Sequence, residues 1–197
     1  FDHIMAAELF HVPEAVRRVN NAATDRPMRE LLPASLLDPA TAPDEIILIA
    51  CGSSLYAAES VAAFYEQQLG CPVRTIDATA LAGGTLRVYG SRTLAIILSQ
   101  SGTTSDTLKA LECLLNACTP AQRKMLVTIG VHNNPMGALA HRVDVSLYTR
   151  TGEERATAST MAFFGQCATL LQLLGALQNK EVETQEILTR LVPLLEE

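Results

Sequence analysis

Two rhythms of apolar and polar positions alternate along this chain. The run at 45–50, Glu-Ile-Ile-Leu-Ile-Ala, is apolar at consecutive positions, which predicts a strand buried on both faces, as in a parallel sheet covered by helices. Further strands are predicted at 72–76, 93–98, 125–129 and 143–147. Between and after them, apolar residues recur every three or four positions. That spacing predicts helices over 55–68 (ended by Gly70), 106–117, 157–178 and 181–195, with a short helical patch at 136–140. Ahead of the first strand, 3–21 reads as an amphipathic helix that Pro13 interrupts or restarts. Residues 24–44 carry Pro27, Pro33, Pro39 and Pro43 and are expected to be mostly irregular, with a short helix at 28–32.

Strands alternating with helices predict an α/β fold: a three-layer sandwich around a five-stranded parallel sheet, doubly wound in the flavodoxin-like manner, with a helical N-terminal extension. The expected division is an extension over 1–44, a sheet domain over 45–178 and a C-terminal helix over 179–197. In such sheets ligands bind beyond the carboxyl ends of the strands, where the strand order reverses.

Composition narrows the partners. The formal net charge of the 197 residues is −6, and lysines and arginines form no run, so the chain lacks the electrostatic footprint of a nucleic-acid binder. No apolar stretch reaches the roughly 20 residues of a membrane span, and the N-terminus lacks a signal-peptide layout. A soluble, cytoplasmic protein that contacts no membrane is expected. Five cysteines, an odd number with no CxxC pairing, read as reduced thiols; Cys113 and Cys118 are spaced badly for a shared helix face, and no metal site is expected. The first strand is followed by no GxGxxG, and no GKS or GKT occurs, which argues against dinucleotide and nucleoside-triphosphate folds.

Two strand-to-helix junctions carry the candidate chemistry. The first strand runs into Cys51-Gly52-Ser53-Ser54, and the third into Ser99-Gln100-Ser101-Gly102-Thr103-Thr104. Glycine lets a backbone approach a ligand closely, while hydroxyls and amide N–H groups at a helix start offer donors to an anion that the helix dipole also favours. A phosphate can be held this way without lysine or arginine. Serine and threonine are also the preferred ordinary helix caps. Two such loops at adjacent strand ends, one with five hydrogen-bonding side chains in six residues, favour a phosphate site over plain capping.

The segments Ile49 to Ser54, Leu98 to Thr107, and Gly152-Glu153-Glu154 leading into Ala158-Ser159-Thr160 together resemble the SIS (sugar isomerase) family. They are similar to the first half of the isomerase region of glucosamine-6-phosphate synthase and to its deaminase and deglycase relatives. The resemblance implies that Ser99, Gln100, Ser101 and Thr104 grip the phosphate, and that Ser53, Ser54, Thr157 and Ser159 contact the sugar. It implies a ligand of the fructose 6-phosphate or glucosamine 6-phosphate class, no cofactor, and a homodimer or paired SIS domains. It also places the groups that open the ring and move protons in a second SIS half, toward which the C-terminal helix would lead. Met161 stands where these relatives usually carry lysine, and 80–84 replaces a loop in which they commonly have glutamate and aromatic or basic residues.

Isomerisation needs a base that moves a proton between adjacent carbons. His132, at the end of the fourth strand, reads as a solvated loop histidine on the ligand side, and His141 as a surface residue. His3 and His11 lie on the first helix, from which they could reach a neighbouring subunit's site, packing or exposure being the default. Glu153 and Glu154 enter the ligand-side loop, where the bracing of that loop is implied more than contact with a sugar hydroxyl. Glu59 and Glu66 belong to a solvated helix face. No residue stands out as the general base, so the catalytic residues are unassigned. Isomerisation, deamination or deglycation of an amino-sugar 6-phosphate is the function expected, with a non-catalytic phosphosugar sensor and a structural protein with a vestigial pocket as alternatives.

Overall fold

In the computed structural model, which describes residues 3–83, 86–156 and 159–196, the chain opens with helices α1 (Ile4–Phe10) and α2 (Val12–Asp25). The predicted N-terminal helix is thus two, broken at His11, with Pro13 in the first turn of α2, where its missing N–H costs nothing. A 3-10 turn (Met28–Leu31) and a single helical turn, α3 (Ala34–Leu37), cross the proline-rich stretch. The remaining elements are β1 (Glu45–Ala50), α4 (Ser53–Leu69), β2 (Val73–Asp77), β3 (Thr93–Ser99), α5 (Ser105–Ala117), α6 (Pro120–Met125), β4 (Leu126–His132), β5 (Val145–Tyr148), α7 (Met161–Leu177) and α8 (Glu181–Leu194), with 3-10 turns at Ala80–Gly83 and, near the helical patch expected at 136–140, at Ala138–His141.

All strand pairs are parallel, and the order across the sheet is β2-β1-β3-β4-β5. The order reverses between β1 and β3, so the loops leaving those two strands stand side by side. Every residue of β1 and β3 is buried, because both sheet faces are covered. Side chains alternate between two cores. Ile46, Leu48, Leu94, Ile96, Leu98, Ile129 and Val131 pack with Ala57, Val61 and Tyr65 of α4 and Leu170, Leu173 and Leu174 of α7. Ile47, Ile49, Ala95 and Ile97 pack with Ala110, Leu111 and Leu114 of α5. Each such valine, leucine or isoleucine side chain contributes roughly 1.5–3 kcal/mol by leaving water. Tyr65 also donates its hydroxyl to the Leu170 carbonyl at 2.5 Å, tying α4 to α7.

The flanking helices form a further layer on α7: Val16 and Val19 of α2 meet Ala168 of α7 and Leu188 and Val192 of α8. The leucine-rich C-terminus therefore divides, Leu188 buried with the core while Ile187 and Leu194 remain exposed.

Several element boundaries differ from the sequence expectation, among them the start of α7 at Met161 rather than 157 and the end of β4 at His132 rather than 129, and two of the differences have a visible local cause. Met125, expected to open a strand, instead ends α6, whose N-terminus is a capping box: Thr119 Oγ1 accepts from Gln122 N at 3.2 Å and Gln122 Oε1 from Thr119 N at 3.0 Å. The last strand begins at Val145 rather than 143, because Asp144 turns its carboxylate to Thr128 N (2.8 Å) and Thr128 Oγ1 (2.7 Å).

Candidate functional site

The site is built on the carboxyl ends of β1 and β3. After β1, Gly52 takes φ +57° and ψ −137°, and Ser53 and Ser54 form the first turn of α4. After β3, Ser99 Oγ accepts the Gly102 N–H at 3.1 Å, and Ser101 Oγ accepts from Thr103 N (3.2 Å) and Thr103 Oγ1 (3.0 Å). Thr104 Oγ1 lies 3.1 Å from Ser99 Oγ and 3.5 Å from Ser101 Oγ, gathering three hydroxyls into one cluster. Gly102, at φ +64°, makes the reversal that a side chain would strain. The loop is anchored from below by Asn133 N donating to Gln100 O and Leu139 N to Gly102 O, both at 2.9 Å.

These residues meet in a cavity of about 190 Å³ lined by Cys51, Ser53, Ser54, Ser99, Gln100, Ser101, Thr104, Glu154, Ala156 and Ser159. Seven of the eight sequence-assigned site residues are thereby brought together; the eighth, Thr157, lies outside the described residues. Thr104 is the N-cap of α5 yet makes no side-chain cap bond, and Gly52 at the N-cap of α4 has no side chain to offer. No N-cap side chain takes the first-turn N–H groups of either helix, although Leu55 N donates to Gly52 O at 3.0 Å, and the two positive helix ends converge on one cavity.

Glu154 is the carboxylate in the lining. It accepts from Ser159 Oγ (3.0 Å), Thr160 N (2.5 Å), Thr160 Oγ1 (3.0 Å) and Ala162 N (3.3 Å), bracing the start of α7. Glu153 instead pairs with Arg155 at 3.2 Å in solvent. Met161 packs with Val12 and Ala15 of α2, away from the cavity lining.

His132 departs from the expectation of a solvated loop residue. It is the last residue of β4 and fully buried; its Nε2 lies 2.7 Å from Ser146 Oγ, and its ring stacks on Tyr148. Burial holds its pKa below the ordinary histidine value, with the nearby His141 adding in the same direction. The imidazole lies outside the cavity lining, so it does not face this site. His3, His11 and His141 are exposed, as are Glu59 and Glu66.

The sequence reading passed over Glu8. It is the buried residue of α1, and its Oε1 accepts from Arg155 N (2.6 Å) and Ala156 N (3.0 Å). A signal was present: Glu8 sits three residues after Met5 and four before Val12, a charge on the apolar stripe. Among the described residues no group of three or more histidines, cysteines or acidic residues is placed to hold a metal ion, and no helix is long and apolar enough to cross a membrane.

A family model described as SIS domain matches residues 41–176. Among curated proteins, the chain is 34% identical over 177 residues to glutamine–fructose-6-phosphate aminotransferase (isomerizing) of Chlamydia abortus, covering 89% of this chain and 27% of that protein. The chain thus spans about a quarter of the length of that relative. Among solved structures, the C-terminal domain of glucosamine-fructose-6-phosphate aminotransferase from Francisella tularensis superposes with TM-score 0.73 at 24% identity, over 99% of this chain and 54% of that one. Glucosamine-6-phosphate deaminase from Thermotoga maritima superposes with TM-score 0.67 at 20% identity, over 91% and 51%. At these identities the two structures share the fold with this chain.

Proposed function

The chain belongs to the SIS domain family, and on that premise we propose that it binds a sugar phosphate and forms the phosphate-gripping part of an enzyme that isomerises, deaminates or deglycates an amino-sugar 6-phosphate. The observation that carries this reading is the Ser99–Ser101–Thr104 hydroxyl cluster between two uncapped helix N-termini. Three hydroxyls and the first-turn amides offer neutral donors to a phosphate at the positive ends of two helix dipoles. Neutral donors suffice because the dipoles converge, and the charge of Glu154 is already engaged by α7.

The sugar would extend from the phosphate toward Ser53, Ser54 and Ser159. Its proton transfers need a base that this lining lacks: Glu154 is committed to four hydrogen bonds, and His132 is buried elsewhere. The acid and base are assigned to a second SIS unit or a neighbouring subunit. The 27% and 54% shares of the relatives' lengths that this chain covers leave room for such a unit in proteins of this kind.

The test is thermal stabilisation by a panel of sugar phosphates, since a ligand selective for the native state raises apparent stability. Fructose 6-phosphate or glucosamine 6-phosphate is expected to raise Tm, unphosphorylated fructose to leave it unchanged, and Ser101→Ala to reduce the shift. No shift with any phosphorylated sugar overturns the reading. The missing base also favours a second reading, a phosphosugar sensor, which requires ligand to change assembly or partner contacts.

A further inference from the structure

We propose that Glu8 is a positioning residue for the sugar side of the cavity, acting from helix α1, outside the region 41–176 that the family model matches. The proposal rests on the phosphosugar-binding reading and names which side of the ligand Glu8 serves.

Among the described residues of α1, Glu8 is the buried one, while Ile4, Leu9 and Phe10 are exposed. Burying a carboxylate is costly unless its lone pairs are met, so packing alone would have favoured an apolar side chain. Here the charge is met by neutral donors of one short strap. Arg155 N and Ala156 N both donate to Oε1, at 2.6 and 3.0 Å, while the Arg155 guanidinium turns outward to Glu153. The Thr160 hydroxyl stands between two carboxylates, 3.4 Å from Glu8 Oε2 and 3.0 Å from Glu154 Oε1, and donates to one at a time. Glu154 in turn receives Ser159 Oγ. Glu8 therefore holds 155–156 directly and 159–160 through Thr160, and Glu154, Ala156 and Ser159 of this strap line the cavity.

The phosphate side is held differently. The loop from Ser99 to Thr104 is tied to Asn133 and Leu139 and takes no bond from α1 or the strap among the interactions of the described residues. Losing Glu8 should release the sugar wall and leave the phosphate cradle intact. An amide can replace the carboxylate: a glutamine oxygen can accept both backbone N–H groups, and its NH2 can donate to Thr160 Oγ1.

The experiment titrates the whole chain calorimetrically with fructose 6-phosphate and, separately, with inorganic phosphate. Glu8→Ala is expected to weaken fructose 6-phosphate about tenfold, the loss expected for a misplaced hydrogen-bonding wall, and to leave inorganic phosphate within about twofold. Glu8→Gln is expected to restore most of the affinity, and Leu9→Ala, on the exposed side of α1, to match the parent. Glu8→Asp keeps the charge but withdraws it by one methylene, and it carries the same comparison if the alanine variant does not fold. Equal weakening of both ligands, or of neither, overturns the positioning role while the phosphate site stands. A parent that binds neither ligand overturns the functional reading, and the proposal with it.

Discussion

Gly137 lies against the backbone of Ser101 so closely that a Cβ built on it would stand 2.7 Å from the Ser101 carbonyl oxygen and 3.0 Å from Gly102 Cα. The loop after β4 thus forms the floor on which the phosphate loop rests. Gly137→Ala is expected to destabilise the protein by about 1–3 kcal/mol, as overpacking does, and to reduce stabilisation by fructose 6-phosphate. Urea unfolding with and without ligand checks both. Parent-like values for each would show that the loops can separate freely.

Thr104 Oγ1 is the hydroxyl that both loop serines reach, at 3.1 and 3.5 Å. Thr104→Val keeps the shape and removes the donor. Affinity for fructose 6-phosphate is expected to fall about tenfold, or about 1.4 kcal/mol, with fold stability nearly unchanged. Calorimetric titration alongside a melting curve separates these effects, and undiminished affinity would remove Thr104 from the cradle.

Burial lowers the pKa of His132 in the folded state below the ordinary value of 6.5. The unfolded chain then takes up a proton that the folded chain refuses, so the stability held above pH 6.5 is lost as pH falls below it toward the folded pKa. His132→Gln is expected to flatten this part of the profile while retaining a partner for Ser146. The check is the Tm difference between about pH 7.5 and pH 5.5 in parent and variant. Equal differences would assign the acid sensitivity to other groups.

Glu154 gathers the N–H groups of Thr160 and Ala162 at the start of α7. Glu154→Ala leaves those donors without their acceptor and a negative charge missing from a helix N-terminus. A loss of about 1–3 kcal/mol is expected, with Glu154→Gln recovering part of it. Chemical denaturation of the three proteins measures this, and an alanine variant as stable as the parent would end the bracing role.

The contrast between Ser101 and Glu8 explains how much of the site was legible. Ser101 belongs to a contiguous segment in which strand, glycine turn, hydroxyls and helix follow one another, so the local order of residues announces a phosphate cradle. Glu8 lies 147 residues from Arg155, the backbone donor it meets. Its place on an apolar stripe was visible, but its partner was not. His132 was misplaced for the same reason: a histidine next to Asn133-Asn134-Pro135 looks like a loop residue, whereas hydrogen bonding along β3 and β5 extends β4 to that position and buries the ring.

The sequence by itself determined the alternation of strands and helices, the two apolar faces of β1 and β3, and the hydroxyl-rich turn after β3, because each depends on periodicities and conformational preferences acting over a few residues. The tertiary structure decided which loops share a cavity, that α1 sends a carboxylate to the strap before α7, and that His132 is sealed against Ser146 and Tyr148. Those relationships join distant segments, and they exist only once the sheet order β2-β1-β3-β4-β5 and the packing of helices on it set which segments become neighbours.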